Sequence, residues 1–118
     1  MRTFFYLSSC YNCKRIMKTL NLDSTIEQID IKKNPLNEYQ LDELFRLSKN
    51  YEALFSKRAQ LYKQRGLKDK ALNEKDYRML ILEHYTFLKR PILVYDQRIY
   101  IGNSSNVVEA SKVFLDEQ

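Results

Sequence analysis

Short apolar runs alternate with a stretch of helical periodicity near the N-terminus of the chain. Residues 3–7 and 26–31 are rich in apolar and β-branched side chains, a composition typical of buried strands. Between them, residues 12–20 carry apolar side chains at helical spacing. Two strands joined by one helix over so short a crossover predict a right-handed parallel unit.

A second pair of apolar runs lies near the C-terminus. Residues 91–95 and 98–101 are separated by a short polar turn, and this spacing predicts an antiparallel hairpin. Asn103 or Ser104 is then expected to cap a last helix that covers the sheet.

The segment between these two parts, about residues 37–89, is predicted to be a helical insertion. Asn37 is expected to cap its first helix, because asparagine side chains accept hydrogen bonds from free N–H groups at a helix start. Leu41, Leu44 and Phe45 form the predicted inward stripe of that helix.

The rest of the insertion is predicted to be helical as well. Short helical pieces are expected over residues 51–72, followed by a longer helix from Glu74 to about Leu88 that Asn73 caps. His84 falls on the apolar stripe of this helix, where a half-buried histidine is more common than a metal ligand.

The composition predicts one domain without a membrane anchor. A chain of 118 residues can build its own hydrophobic core, so we expect a single domain spanning 1–118. No apolar segment approaches the ~18 residues of a membrane span, and the first strand follows the N-terminus without a long apolar leader. These features favour a cytoplasmic protein.

Charge gives only a weak indication of a nucleic-acid partner. The formal net charge is +5, but residues of both signs are interleaved along most of the sequence. The densest basic stretch, residues 57–70, is typical of a solvated face, with an anionic substrate or partner as the alternative. We therefore expect no direct nucleic-acid binding.

Two cysteines fall where the first predicted strand passes into the first predicted helix. Cys10 and Cys13 are three residues apart, close enough in a first helical turn to form a disulfide. The free N–H groups and the positive dipole end of the helix favour thiolate over thiol. In a reducing cytoplasm, such a pair is more often catalytic or sensing than structural.

Two other interpretations of the cysteines stay open. Cys13 is in helical register with Ile16 and Leu20, so it could simply belong to the core. A structural zinc site wants four ligands, whereas the chain offers two cysteines and one distant histidine, His84. We therefore predict no metal.

The predicted order of elements is β-α-β, the helical insertion, then β-β-α. This is the thioredoxin-like plan of the α/β (α+β) class, with a four-stranded mixed sheet and a C-x-x-C pair facing a proline that opens the third strand. Pro91 occupies that place, and in this architecture such a proline is often cis.

Several motifs together resemble the arsenate reductase ArsC and Spx family over nearly the whole chain. They are Cys10 in its loop, Arg58 in the insertion, Arg90-Pro91 before the third strand and Ile101-Gly102 after the fourth. The resemblance implies that Cys10 attacks the arsenic of arsenate while Arg58 and Arg90 hold the oxyanion. Guanidinium groups suit this role, because their forked donors match a tetrahedral anion and their charge lowers a thiol pKa.

The sequence departs from the arsenate reductases of this family at two places. Those enzymes carry glycine, threonine, serine and arginine after the nucleophile, where this chain has residues 11–14, Tyr-Asn-Cys-Lys. They also carry a third arginine near the end of the fourth strand, where this chain has Ile101. Arg98 is three residues away and hence on the opposite face of an extended strand. The predicted oxyanion cradle is one donor short.

The C-x-x-C form of the loop is similar to the Spx group. That resemblance implies a redox-sensing regulator that binds the C-terminal domain of the RNA polymerase α subunit. The docking glycine of that group has no clear counterpart here, and residues 48–50 occupy its approximate region.

These observations give a leading functional hypothesis and two alternatives. In the first, Cys10 is the attacking thiolate of a thiol oxidoreductase, Cys13 is the resolving thiol, Arg58 and Arg90 position an oxyanion or a glutathione-type carboxylate, and Pro91 shapes the cleft. It needs no metal or organic cofactor, only an external reductant such as glutathione, glutaredoxin or thioredoxin. In the second, the disulfide switches binding to RNA polymerase. In the third, the cysteines serve only packing.

Overall fold

The computed structural model describes residues 1–118. In chain order, the strands and helices are β1 Arg2–Tyr6, α1 Tyr11–Leu20, β2 Glu27–Asp30, α2 Glu38–Ser48, α3 Gln60–Gln64, α4 Glu74–Glu83, β3 Ile92–Tyr95, β4 Arg98–Ile101 and α5 Ser105–Asp116. Short 3₁₀ turns are Glu52–Leu54, Leu67–Asp69 and Tyr85–Phe87. No helix combines the length and the apolar character that crossing a bilayer requires. The predicted order of elements is confirmed.

The chain divides into two compact units. The first contains Met1–Asn34 and Arg90–Gln118, and the second contains Pro35–Lys89. The second unit corresponds to the predicted helical insertion, and the first carries all four strands with α1 and α5.

The first unit is built on a mixed sheet with strand order β2-β1-β3-β4. β1 and β2 are parallel, as their short helical crossover predicts, and β3 is antiparallel to both β1 and β4. At one end of the sheet, Tyr6 lies opposite Asp30 and Phe5 lies opposite Ile92. We call this end, which continues into Cys10, the thiol end.

The core of the first unit lies between the sheet and its helices. Phe4 and Leu93 project from the central strands onto Ile16 and Leu20 of α1, and all four are almost fully buried. The sequence predicted Asn103 or Ser104 as the cap of α5. Ser104 is the cap, and its side chain accepts a hydrogen bond from the N–H of Val107. Phe114 of α5 packs edge-on against Tyr95, with 5.2 Å between ring centroids, at the end of the sheet opposite the thiol end.

The first helix of the second unit begins as predicted, but its inward stripe is narrower. Asn37 accepts a hydrogen bond from the N–H of Gln40, whose side chain accepts one from the N–H of Asn37, forming a capping box. Leu41 and Leu44 are fully buried. The prediction for Phe45 is wrong: it is 37% exposed and stacks on another ring, Tyr51, at a centroid distance of 4.4 Å. The stacking gives it an apolar contact outside the core.

The last helix of the second unit is shorter than predicted. α4 ends at Glu83, and His84 is extended with φ −151° and ψ 133° rather than lying on a helical stripe. The imidazole Nδ1 of His84 instead accepts a hydrogen bond from the N–H of Thr86 and caps the following 3₁₀ turn. The β-branched and aromatic residues in this turn have modest helix propensity, so ending the helix before them costs little free energy.

A short antiparallel pairing explains why the helix cannot continue to Leu88. Leu88 forms an isolated β-bridge with Phe55, and this pairing requires extended backbone. Around it, the N–H of Ser56 donates to the carbonyl of Phe87 at 2.7 Å, and the N–H of Lys89 donates to Leu54 at 2.8 Å. The bridge satisfies backbone groups that a longer helix would have bonded internally.

Candidate thiol site

Cys10 is the residue at which the chain turns from β1 into α1. It is the N-cap of the helix, with extended backbone at φ −94° and ψ 114°. Its N–H donates to the carbonyl of Leu7 at 3.0 Å, and its carbonyl accepts the first helical bond from the N–H of Lys14 at 3.2 Å. This fixed backbone leaves the partly exposed side chain at the mouth of the helix.

The surroundings of Cys10 favour its charged form. Partial burial acts to raise its pKa, but the N–H and the side chain of Cys13, the N–H of Asn12 and the positive charge of Arg90 act to lower it. The net result is a pKa below the ordinary thiol value. Hydrogen bonds donated by helix N-terminal amides favour the thiolate over the thiol, because a negatively charged sulfur is the stronger acceptor.

Cys13 has the opposite environment although it is in the same helical turn. It is 0% exposed, and burial raises its pKa to about 11. The neighbouring thiol of Cys10 also raises this pKa, whereas a hydrogen bond from the backbone of Leu7 and the charge of Arg90 oppose the shift. Cys13 is therefore held as a protonated thiol that can donate to Cys10, and it belongs to the core at the same time.

Arg90 and Pro91 lie at the thiol end of the sheet. The Arg90–Pro91 peptide bond is cis, the geometry expected from the sequence. The carbonyl of Pro91 accepts a hydrogen bond from the N–H of Gly102 at 2.9 Å. This bond links the residue before β3 to the residue after β4 and closes the open end of the hairpin. The guanidinium of Arg90 acts on both thiols, so the first unit brings Cys10, Cys13 and Arg90 together.

Arg58 belongs to the second unit. It is exposed in the turn between the first 3₁₀ helix and α3. The preceding residue, Lys57, forms an ion pair with Glu52 at 2.7 Å. The assignment of Arg58 to the oxyanion site stays a prediction from the family resemblance.

The position of the missing third arginine is at the thiol end. Ile101 pairs with Ile92 in the β3–β4 register and is half-buried. Arg98 is at the other end of β4, where its guanidinium lies 5.2 Å from the ring centroid of Phe114. Three residues of a strand span roughly 10 Å, so Arg98 cannot supply the donor that Ile101 lacks.

Sequence reasoning missed one side chain at this end of the sheet, the buried carboxylate of Asp30. It is 5% exposed, and its Oδ1 accepts from the N–H of Lys32 at 3.2 Å and of Ser8 at 3.5 Å. The neighbouring Ser8 side chain, opposed by burial and assisted by these amides and by the charge of Lys33, holds the pKa of Asp30 below its usual range. The available signal was an acidic residue between two isoleucines inside a strand pattern.

The arrangement is suited to thiol chemistry. No group of three or more histidine, cysteine, aspartate and glutamate side chains is close enough to hold a metal ion. The site contains one thiol with a lowered pKa, one buried thiol with a raised pKa and one guanidinium whose charge acts on both.

Comparisons with known proteins find related sequences. The sequence model of the ArsC family matches residues 5–111. The global transcriptional regulator Spx of Streptococcus agalactiae is 26% identical over 112 residues, which cover 93% of this chain and 82% of the regulator.

Two solved structures of ArsC-related proteins are also similar to this chain. A Streptococcus mutans UA159 protein described as a possible arsenate reductase is 29% identical and has a TM-score of 0.68, covering 89% of this chain and 92% of its own. An ArsC-family-related protein of Bacteroides fragilis is 20% identical with a TM-score of 0.78, covering 93% of this chain and 97% of its own. At that identity, the second likeness supports the fold alone.

Proposed function

The chain belongs to the ArsC family, and within that family we propose that it is a thiol–disulfide oxidoreductase in which Cys10 is the nucleophile and Cys13 the resolving thiol. The observation that carries this proposal is that the pKa values of two neighbouring thiols are shifted in opposite directions. The pKa of Cys10 is lowered, whereas burial raises that of Cys13 to about 11. A thiolate beside a protonated thiol is the arrangement that a two-step exchange needs.

The proposed reaction balances in two steps. The Cys10 thiolate attacks one sulfur of a substrate disulfide, forming a mixed disulfide and expelling the other sulfur as a thiolate, which takes up a proton. Cys13 then loses its proton and attacks the Cys10 sulfur, releasing the second substrate thiol. Two electrons pass from the protein dithiol to the substrate, and the protein is left with a Cys10–Cys13 disulfide.

The cycle closes through an external thiol. Glutathione, or a thiol protein of the glutaredoxin or thioredoxin type, would return two electrons to the disulfide, and a reducing cytoplasm supplies these reductants. The proposal requires no metal or organic cofactor.

The arginines extend the proposal to anionic substrates. Arg90 supports it through its charge on both thiols, and Arg58 enters it through the family resemblance alone. They would bind an oxyanion such as arsenate or a carboxylate of glutathione, and Pro91 would shape the cleft. With Ile101 in place of a third arginine, we expect turnover of small disulfides to exceed that of arsenate.

A neutral small disulfide tests the proposal directly. Reduced protein is mixed with hydroxyethyl disulfide, quenched by alkylation and analysed by mass. The wild type should lose two hydrogen atoms with the bond mapped to Cys10 and Cys13, and Cys10→Ser should not react. Cys13→Ser, with Cys13→Ala as an apolar control for packing, should accumulate the mixed disulfide on Cys10. Full multiple-turnover activity in both Cys13 variants would disprove the resolving role.

A second candidate function is a redox-switched regulator, and the likeness to Spx is the observation that favours it. In this case the Cys10–Cys13 disulfide would change the affinity for the C-terminal domain of the RNA polymerase α subunit. A fluorescence titration of that purified domain with the oxidised and the reduced protein tests this. At least a tenfold difference, about 1.4 kcal/mol, would support the regulator. Absence of binding in both states would remove it.

A further inference from the structure

The exposed acidic residues of the first unit lie away from the thiol end of its sheet, whereas its basic residues occur at both ends. At the end opposite the thiols, the exposed acidic residues are Asp23, Glu27, Asp96, Asp116 and Glu117. The register fixes this assignment, because Glu27 pairs with Thr3 at the start of β1, and Tyr95 beside Asp96 pairs with Arg2. The one other exposed acidic residue of this unit, Glu109, is in the second turn of α5.

Basic residues follow both parallel strands at the thiol end. Lys14 and Arg15 are exposed in the first turns of α1, whose first turn contains no acidic residue. Lys32 and Lys33 are exposed directly after β2. Arg90 adds the charge that acts on the thiols themselves.

The buried carboxylate of Asp30 shows that these basic residues lie next to the Cys10 loop. Its Oδ1 accepts hydrogen bonds from both Ser8, two residues before Cys10, and Lys32. The loop after β1 and the loop after β2 are therefore joined through a single oxygen atom. Because Asp30 is 5% exposed, an approaching partner meets the lysines rather than the carboxylate.

An exposed ring lies next to Cys10 in the sequence. Tyr11, between the two cysteines, is 78% exposed in the first turn of α1. Tyrosine is enriched at the centres of protein interfaces, where its ring is buried against a partner while charged residues form the rim.

We propose that this surface, made of Tyr11, Lys14, Arg15, Lys32 and Lys33, docks an acidic protein segment that carries the substrate disulfide. The inference rests on the proposed thiol–disulfide function and assigns its substrate class. Electrostatic attraction raises the rate at which an oppositely charged partner meets the site, and it acts over about 10 Å at 0.1 M salt. A nucleic acid is the less fitting occupant, since the basic residues lie at the same end of the sheet as a nucleophilic sulfur that a nucleic acid does not use.

Three matched peptides test the proposal. Each has one central cysteine in a disulfide with 2-mercaptoethanol, flanked by glutamates, glutamines or lysines. Rates of Cys10–Cys13 disulfide formation are measured at low and high salt and divided by the rate of dithiothreitol with the same peptide. This division removes the effect of the flanking charges on the peptide's own reactivity. The glutamate peptide should react at least about 10-fold faster than the glutamine peptide at low salt, and the lysine peptide more slowly than either.

Charge reversal identifies the surface. Lys32→Glu/Lys33→Glu should lower the glutamate-to-glutamine ratio to near one. Lys18→Glu/Arg98→Glu changes the net charge equally but away from Cys10, since Lys18 is eight residues along α1, roughly 12 Å away. This control should lower the ratio much less than Lys32→Glu/Lys33→Glu does, because its charges lie farther from Cys10. Tyr11→Ala should slow all three peptides and leave the ratio unchanged.

The outcomes separate the inference from the function on which it rests. If the glutamine peptide and hydroxyethyl disulfide both fail to oxidise Cys10 and Cys13, the proposed function itself is wrong. If they react but the normalised ratio is near one, or if both double variants lower it equally, the docking proposal is overturned. Inhibition of the glutamine peptide by duplex DNA at 0.15 M salt, lost in Lys32→Glu/Lys33→Glu, would assign the surface to nucleic acid and would also overturn it.

Discussion

The buried carboxylate of Asp30 accepts a hydrogen bond from the backbone N–H of Ser8, 3.5 Å away, across the thiol end of the sheet. The same oxygen accepts from the N–H of Lys32 at 3.2 Å. One acceptor therefore organises the two loops that follow the parallel strands, and one of these loops presents Cys10.

Removing this acceptor should destabilise the protein. In Asp30→Ala, two partly buried amides lose their acceptor, and we expect a decrease of about 1–3 kcal/mol in the free energy of unfolding. Urea unfolding followed by circular dichroism measures it. An unchanged midpoint and slope would show that the loops do not depend on this carboxylate.

The contribution of the Asp30 charge should depend on pH with a definite sign. Because hydrogen bonds with Ser8 hold its pKa below the ordinary carboxyl value, the charge stabilises the fold above that value and stops doing so as the pH falls through the lowered pKa. The stability difference between the wild type and Asp30→Asn, which keeps an acceptor but no charge, should be largest near neutral pH. It should shrink below about pH 4. A constant difference from pH 7 to pH 3 would contradict this.

The reactivity of Cys10 should show its lowered pKa. The rate of iodoacetamide alkylation at Cys10 should reach half its maximum below the ordinary thiol value of about 8.5, because helix amides and the Cys13 side chain stabilise the thiolate. In Cys13→Ala the side-chain donor is lost, so the midpoint should move upward. Peptide mapping should find Cys13 of the native protein unmodified, since it is 0% exposed. A Cys10 midpoint at or above the ordinary value would remove the basis of the proposed chemistry.

Arg90 should tune this midpoint through charge. Arg90→Ala is expected to raise the pKa of Cys10, because the guanidinium favours the thiolate, and Arg90→Lys should restore part of the shift. Arg98→Ala is a matched control, because Arg98 is at the other end of β4. The alkylation profile of each variant decides, and equal profiles for Arg90→Ala and the wild type would show that Arg90 does not act on the thiol.

Two adjacent positions of α2 should respond very differently to truncation. Leu44 is fully buried, so Leu44→Ala should destabilise by about 2–5 kcal/mol. Phe45 is 37% exposed and stacks on Tyr51, so Phe45→Ala should destabilise clearly less despite the larger side chain removed. Thermal unfolding of the two variants compares them, and an equal loss would mean that Phe45 is part of the core.

The strands and most helices could be predicted because their signals are local. The apolar runs of β1 and β3 and the asparagine caps of α2 and α4 each lie within a few residues of the element they specify. The end of α4 could not be predicted in this way. Leu88 continues the helical spacing, but its bridge with Phe55 decides the backbone, and that partner is distant in sequence.

In the candidate site, too, the features with local signals could be predicted and those that depend on distant residues could not. The placement of Cys10 and Cys13 followed from a strand signal next to a helix signal, whereas the role of Asp30 depends on the backbone of Ser8, 22 residues earlier. Side-chain patterns contain no information about which distant amide a carboxylate will meet. The prediction that Phe45 faces the core was wrong for a related reason, because its ring stacks on Tyr51 outside the core.

The complete enclosure of Cys13 determines how an oxidised protein would be regenerated. With that sulfur hidden, an incoming reductant can attack only at Cys10 and must expel Cys13 as the leaving group. A thiol whose pKa burial raises to about 11 departs slowly. In the proposed cycle, reduction of the Cys10–Cys13 disulfide would therefore be slow, and the oxidised form would persist while reductant is scarce.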